Sequence, residues 1–152
     1  LIRAMPNTPA MVGEGVTAIC PADTVTSTEL DQVIQLFAAC GIAEVMPERL
    51  IDGVVAVSGS SPAYIFMIIE AMADGAVRDG IPRAQAYRLA AQAVLGSAKM
   101  VLETGKHPGE LKDMVCSPAG TTIEAVAVME KCGLRSAILE GMEACSRKTR
   151  GM

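Results

Sequence analysis

Pro62-Ala63-Tyr64-Ile65-Phe66-Met67-Ile68-Ile69-Glu70-Ala71-Met72-Ala73-Asp74-Gly75-Ala76-Val77 is the stretch whose reading decides the fold. Pro62 suits the first position of a helix, where its missing N–H costs no hydrogen bond. From Ala63 to Val77 the residues are apolar on nearly all sides, interrupted by Glu70 and Asp74. A helix apolar all round has to be covered, which puts this one at the centre of a bundle or in a subunit interface.

Downstream the pattern stays helical. Gly80-Ile81-Pro82 breaks the chain, and Arg83 to Thr104 reads as a second long helix, rich in Ala. Gly96 and Ser97 permit close approach of a neighbour, and Gly105 ends the helix. His107-Pro108-Gly109 opens a short helix, Glu110 to Val115, with His107 read as a helix-start residue rather than a base. Ile123 to Lys131 is closed by Gly133, and Leu134 to Arg150 is the last helix. Just upstream, Glu48 to Val57 reads as a helix ending at Ser58-Gly59-Ser60-Ser61.

Further upstream the pattern changes. Met5-Pro6-Asn7-Thr8-Pro9 is extended or turn-like, because each Pro biases its predecessor away from helix. Gly15 to Cys20 reads as a strand ended by Pro21, and Ile42 to Met46 as another. Between them Thr26 to Cys40 reads as a helix, with Thr26 and Glu29 forming a capping box and Gly41 closing it. This strand–helix–strand order is the end of an α/β unit. The expected fold is therefore mainly α. Residues 1–47 are the remnant of an α/β domain and 48–152 a helical domain. Leu1-Ile2-Arg3 begins without an initiator Met and reads as the tail of something longer.

Of the 152 residues 51% are hydrophobic but only 3% aromatic, with ten Met and no Trp. That is a palette for closely packed helices and for burial in an oligomer. A net charge of −4 argues against a nucleic-acid partner. Cys20, Cys40, Cys116, Cys132 and Cys145 are odd in number and lack C-x-x-C spacing, which fits reduced thiols better than disulfides or a zinc site. Cys116 is read as a buried inert thiol. No apolar run approaches the roughly 18 residues that would span a bilayer, and no signal peptide opens the chain, so the expectation is a soluble cytoplasmic protein without a membrane partner.

Ser117-Pro118-Ala119-Gly120-Thr121-Thr122 is a tight turn running into a helix. Thr121 with Glu124 reads as a capping box, making Thr121 the expected N-cap. Two hydroxyls and the unpaired first amides of that helix converge into a site suited to a carboxylate or phosphate. The same stretch also reads as an ordinary capped helix start.

Four stretches together resemble the pyrroline-5-carboxylate reductase family: Arg3 to Pro9, Val57 to Tyr64, His107 to Asp113, and Ser117 to Thr122. Their order and helical spacing match, and the resemblance covers essentially the whole chain. It implies a helical dimerisation domain of the 6-phosphogluconate dehydrogenase C-terminal kind, preceded by the last β-α-β elements of a Rossmann-type domain. It also implies reduction of L-1-pyrroline-5-carboxylate to L-proline with NADPH or NADH. No G-x-G-x-x-G precedes a helix in these residues, so the cofactor phosphates are expected to bind elsewhere.

The partners implied are a second copy, with larger rings of dimers common in the family. By resemblance the substrate carboxylate is held by the turn, with Ser117 and the amides near Ala119, Gly120 and Thr121. Thr122 matches the residue whose hydroxyl faces the ring nitrogen and relays a proton. Met114 matches a pocket-lining position and Glu48 an acidic position near the ring amine. Asn7 lies near the nicotinamide edge or serves only as a turn residue.

The chain departs from the family at Ser61 and Ala119, where Gly is usual. Ser61 is expected to N-cap the Pro62 helix, and Ala119 is tolerable unless its φ is positive. Two other readings compete. One is a hydroxyacid dehydrogenase using Lys99 as acid/base; the other is a dimerisation module without catalysis.

Overall fold

A computed structural model describes residues 1–151, in two compact units. The first comprises residues 1–64 together with the chain from Leu139 on; the second is Ile65–Ile138.

The first unit is built on a three-stranded sheet ordered β1 (Ile2–Met5), β2 (Gly15–Pro21), β3 (Gly41–Val45). β1 pairs antiparallel with β2, Ile2 opposite Pro21 and Met5 opposite Ala18. β2 pairs parallel with β3, Gly15 opposite Gly41 and Ile19 opposite Val45. A parallel pair needs a crossover, which α1 (Ser27–Ala38) supplies. Thr26 caps α1 through the expected capping box: its hydroxyl accepts from the Glu29 N–H and its own N–H donates to the Glu29 carboxylate. The segment read as extended or turn-like, Met5–Pro9, holds the end of β1 and the start of a 3-10 turn at Thr8–Val12; the strand Ile2–Met5 itself was not expected from the sequence.

β2 is the central strand, and Thr17, Ala18, Ile19 and Cys20 on it are buried. Ala18 and Cys20 pack with Ile51 and Val54, and Met5 and Met46 close over them. Ile19, which alternates to the other face of β2, is the largest fully buried side chain, a burial that stabilises by roughly 1.5–3 kcal/mol.

The chain then becomes helical and stays so for longer than the sequence indicated. A 3-10 turn at Glu48–Leu50 leads into α2 (Ile51–Val54), then a π-turn at Val55–Gly59, and directly into α3 (Ser61–Arg78). The break expected at Ser58–Ser61 narrows to a bend at Ser60, whose N–H closes the π-turn by reaching back five residues to the Val55 carbonyl at 2.8 Å. Ser61 is consequently a helical residue and not an N-cap. The continuous stretch Glu48–Arg78 is long and apolar enough, by length and composition, to cross a membrane. That corrects the expectation that no run approaches such a length. Where the last helix returns to this unit, the Ser60 hydroxyl and the Cys145 thiol lie 3.2 Å apart. Burial, with Cys145 beside it, pushes the Tyr64 hydroxyl up.

The second unit is a run of helices: the rest of α3, α4 (Arg83–Thr104), α5 (Pro108–Val115), α6 (Thr121–Lys131) and the start of α7 (Leu134–Thr149). Arg83 joins α3 to α4 by an ion pair with Asp74 and lies over the Tyr87 ring at 5.5 Å. Among residues 65–138 only Ala73, Ala86 and Ala90 are buried. Phe66, Met67 and Leu102 are exposed by 64%, 68% and 76%. A 74-residue helical unit whose interior is three alanines has its apolar side chains on the outside. The Pro62–Val77 helix is thus not the centre of a bundle within this chain. Met72, Ala93, Val94, Ser97, Ala98 and Val101 line an open apolar groove of ≈ 400 Å³ between α3 and α4.

Candidate functional site

The expected site residues fall into two groups, one in each unit. Met114, Ser117, Ala119, Gly120, Thr121 and Thr122 lie at the α5–α6 junction of the helical unit, and Asn7 and Glu48 lie in the sheet unit.

At the junction α5 ends on Val115, and the Cys116 N–H bonds the Asp113 carbonyl at 3.1 Å. Cys116 itself is half-buried. The next four residues form a turn closed by the Gly120 N–H on the Ser117 carbonyl at 3.0 Å. Pro118 stands at its second position and Ala119, at φ +57°, at its third. That is the pattern of a type II turn, whose third residue must be left-handed and is normally Gly. Ala119 is the one non-glycine residue with positive φ among the described residues. Gly120 returns to an extended conformation (φ −80°, ψ 166°) and is the N-cap of α6. A methyl group on Gly120 would overlap the Ser117 hydroxyl and stand 3.0 Å from the Ser117 carbonyl oxygen.

Thr121 is therefore the first helical residue and not the N-cap, and no side-chain capping bond forms. The Thr-x-x-Glu spacing misleads because Gly120 already accepts the first helical bond, from the Glu124 N–H at 3.5 Å. Glu124 lands one position too far along to reach back. No hydrogen bond among the described residues uses the N–H groups of Thr121, Thr122 and Ile123. The positive end of α6 is thus presented beside two threonine hydroxyls, an arrangement that favours an anion. Thr122 is half-buried, while Met114 is 63% exposed. Lys112 pairs with Asp113 at 2.5 Å, a contact that raises its ammonium above the ordinary lysine range.

In the sheet unit, Arg3 Nη1 meets Glu48 Oε1 at 2.8 Å. Asn7 uses both ends of its amide: Oδ1 accepts from the Val16 N–H at 2.9 Å and Nδ2 donates to the Ser58 carbonyl at 3.1 Å. It thereby ties the loop before β2 to the π-turn. Arg3 and Ser58 were not singled out as individual residues from the sequence, although each lies in a stretch that was; the contacts that distinguish them cross 45 and 51 residues. Lys99 makes an i,i+4 pair with Glu103 at 3.4 Å, both 66% exposed.

The architecture is a short sheet leading into a helical unit with uncovered apolar faces and a donor-rich helix start, the form of an assembly domain. The family model for pyrroline-5-carboxylate reductase dimerisation matches residues 48–152. The chain belongs to the pyrroline-5-carboxylate reductase family. It is 62% identical over 149 residues to the pyrroline-5-carboxylate reductase of Escherichia coli (strain K12), covering 98% of this chain and 55% of that protein. To the enzyme of Methanosarcina acetivorans it is 49% identical, covering 99% of this chain and 56% of the relative. The chain thus spans about half the length of these curated relatives.

Among solved structures, the pyrroline-5-carboxylate reductase of Coxiella burnetii superposes with a TM-score of 0.94 at 36% identity, covering 99% of this chain and 56% of that one. The Plasmodium falciparum pyrroline carboxylate reductase, solved with NADP bound, gives 0.90 at 33% identity, covering 99% of this chain and 62% of its own. The mainly helical fold after a short β-α-β segment is common to them.

Proposed function

We propose that this chain supplies the dimerisation and substrate-carboxylate-binding part of an NAD(P)H-dependent pyrroline-5-carboxylate reductase, a cytoplasmic enzyme that makes L-proline. The observation that carries this reading is the start of α6. Three unpaired amides, at Thr121, Thr122 and Ile123, stand behind a Pro-containing turn at a helix N-terminus. Family membership supplies the substrate class, and the start of the matched family region at residue 48 supports dividing the chain into 1–47 and 48–152.

The chemistry asked of these residues is modest. Hydride reduction of the imine needs orientation, a fixed carboxylate and one proton on nitrogen, which makes the carbon electrophilic before the hydride arrives. In this reading the α6 amides and the Ser117 hydroxyl fix the carboxylate, and Met114 lines the ring. The Thr122 hydroxyl relays the proton to the ring nitrogen. The nicotinamide cofactor supplies the hydride when bound. No glycine-rich strand–turn–helix lies in this sequence to cradle its phosphates, so the residues that hold them are not these. Asn7, with one amide hydrogen and one lone pair left over, borders the nicotinamide edge by shaping the loop before β2.

The uncovered apolar faces of α3 and α4 are closed by a second copy, and larger rings of dimers follow the same logic. The deciding experiment is NADPH oxidation dependent on pyrroline-5-carboxylate, run on the intact protein beside the 152-residue chain. Activity in the intact protein and none in the short chain is expected. No activity in the intact protein overturns the reading. Thr122→Ala is expected to lower kcat, and unchanged kinetics would remove Thr122 from the mechanism.

A further inference from the structure

The segment His107–Asp113 carries a motif that the carboxylate site does not use. His107 is the N-cap of α5, and its Nδ1 accepts the Gly109 N–H at 3.0 Å. Nδ1 must therefore carry a lone pair. A methyl on Gly109 would stand 3.0 Å from Nδ1 and 3.3 Å from Cε1, so the ring lies folded closely over the first turn. Pro108, at the first helical position, has no N–H to satisfy. Glu110, the acidic residue of that turn, is drawn to Lys106 at 2.6 Å, leaving the imidazole as the side-chain acceptor at this end.

The helix so capped is eight residues long with no buried residue. Two turns without a buried face are marginal, and an N-cap then supplies a large share of what holds them. At the other end of α5 a single residue, Cys116, separates Val115 from Ser117. The turn Ser117–Gly120 is thus anchored on one side by a short helix whose first turn the His107 imidazole caps.

We infer that His107 is a positioning residue for the Ser117–Thr122 turn, acting through the cap of α5 and touching neither substrate nor cofactor. The inference rests on the proposed carboxylate role of that turn for its kinetic consequence, though not for its structural one. The test compares His107→Ala, which removes the acceptor, with His107→Asn, which supplies another, in the intact protein. Amide hydrogen exchange is read at Gly109 and at the bonded amides of Cys116 and Gly120, and kinetics with pyrroline-5-carboxylate.

In His107→Ala the turn amides are expected to exchange about threefold to tenfold faster and KM to rise by a similar factor, with kcat within about twofold; His107→Asn restores both. Exchange at Cys116 and Gly120 unchanged in His107→Ala overturns the inference. So does an Asn variant as impaired as the Ala variant, because capping would then not be what the imidazole contributes. Faster exchange with an unchanged KM supports the positioning role and removes the turn from carboxylate binding.

Discussion

The Gly120 amide donates to the Ser117 carbonyl at 3.0 Å, and the α-carbon of Gly120 is so close to Ser117 that a side chain there would collide with its hydroxyl. The two residues fix the approach to α6 between them. Gly120→Ala has an acceptable φ at this position, so the effect is steric: the Ser117 hydroxyl must swing away and its carbonyl must give. Alanine is also a poor N-cap, and the expected loss of stability is about 1 kcal/mol. KM for the imine is expected to rise more than Tm falls, since the displaced hydroxyl is one of the proposed carboxylate contacts. Steady-state kinetics beside a thermal melt check this.

Ala119 at φ +57° pays for a left-handed conformation that glycine adopts freely. Ala119→Gly removes that strain but adds freedom to the unfolded chain, and a net stabilisation of about 0.5–1 kcal/mol is expected. Ala119→Val moves the other way, because a β-branched residue is a strong outlier at positive φ. Chemical denaturation of the three proteins should give the order Gly, Ala, Val.

Asn7 holds two backbone groups at once, the Val16 N–H and the Ser58 carbonyl. Asn7→Ala strands both at partly buried positions, and a loss of about 1–3 kcal/mol is expected. Asn7→Asp keeps an acceptor for Val16 but sets a carboxylate oxygen against the Ser58 carbonyl. That variant should be less stable than wild type at neutral pH and recover on acidification, as the protonated acid regains a donor. Urea midpoints at two pH values decide it.

The backbone N–H of Thr26 and then its hydroxyl hold the Glu29 carboxyl below the usual carboxylate range. A folded-state value lowered in this way means stability fully present above the unfolded value of about 4.3 and lost as pH falls through the folded one. Glu29→Gln should therefore narrow its gap from wild type on the acid side and keep it constant above about pH 5.5. Denaturation midpoints measured across that range test the sign.

Local chemistry made much of this molecule legible. The capping box of Thr26 with Glu29, the bounds of α4 at Arg83 and Thr104, and the left-handed stop at Gly105 were all readable, because a cap or a stop finds its partners within a few residues. The donor-rich turn at Ser117–Thr122 was readable for the same reason. Its N-cap was misassigned by one residue, because the Thr-x-x-Glu spacing also fits a helix that begins at Gly120.

The amino-acid sequence by itself determined a mainly helical chain behind a strand–helix–strand segment, and the residues of the turn, since periodicity and punctuation act over single helical turns. Tertiary structure alone decided two other matters. The Ser58 carbonyl at the π-turn, which Pro62 has no N–H to meet, is taken up by Asn7, 51 residues away. The apolar helix Pro62–Val77 finds no cover within its own unit, because only three alanines of residues 65–138 are buried. Both depend on which distant surfaces meet, and no local pattern encodes that.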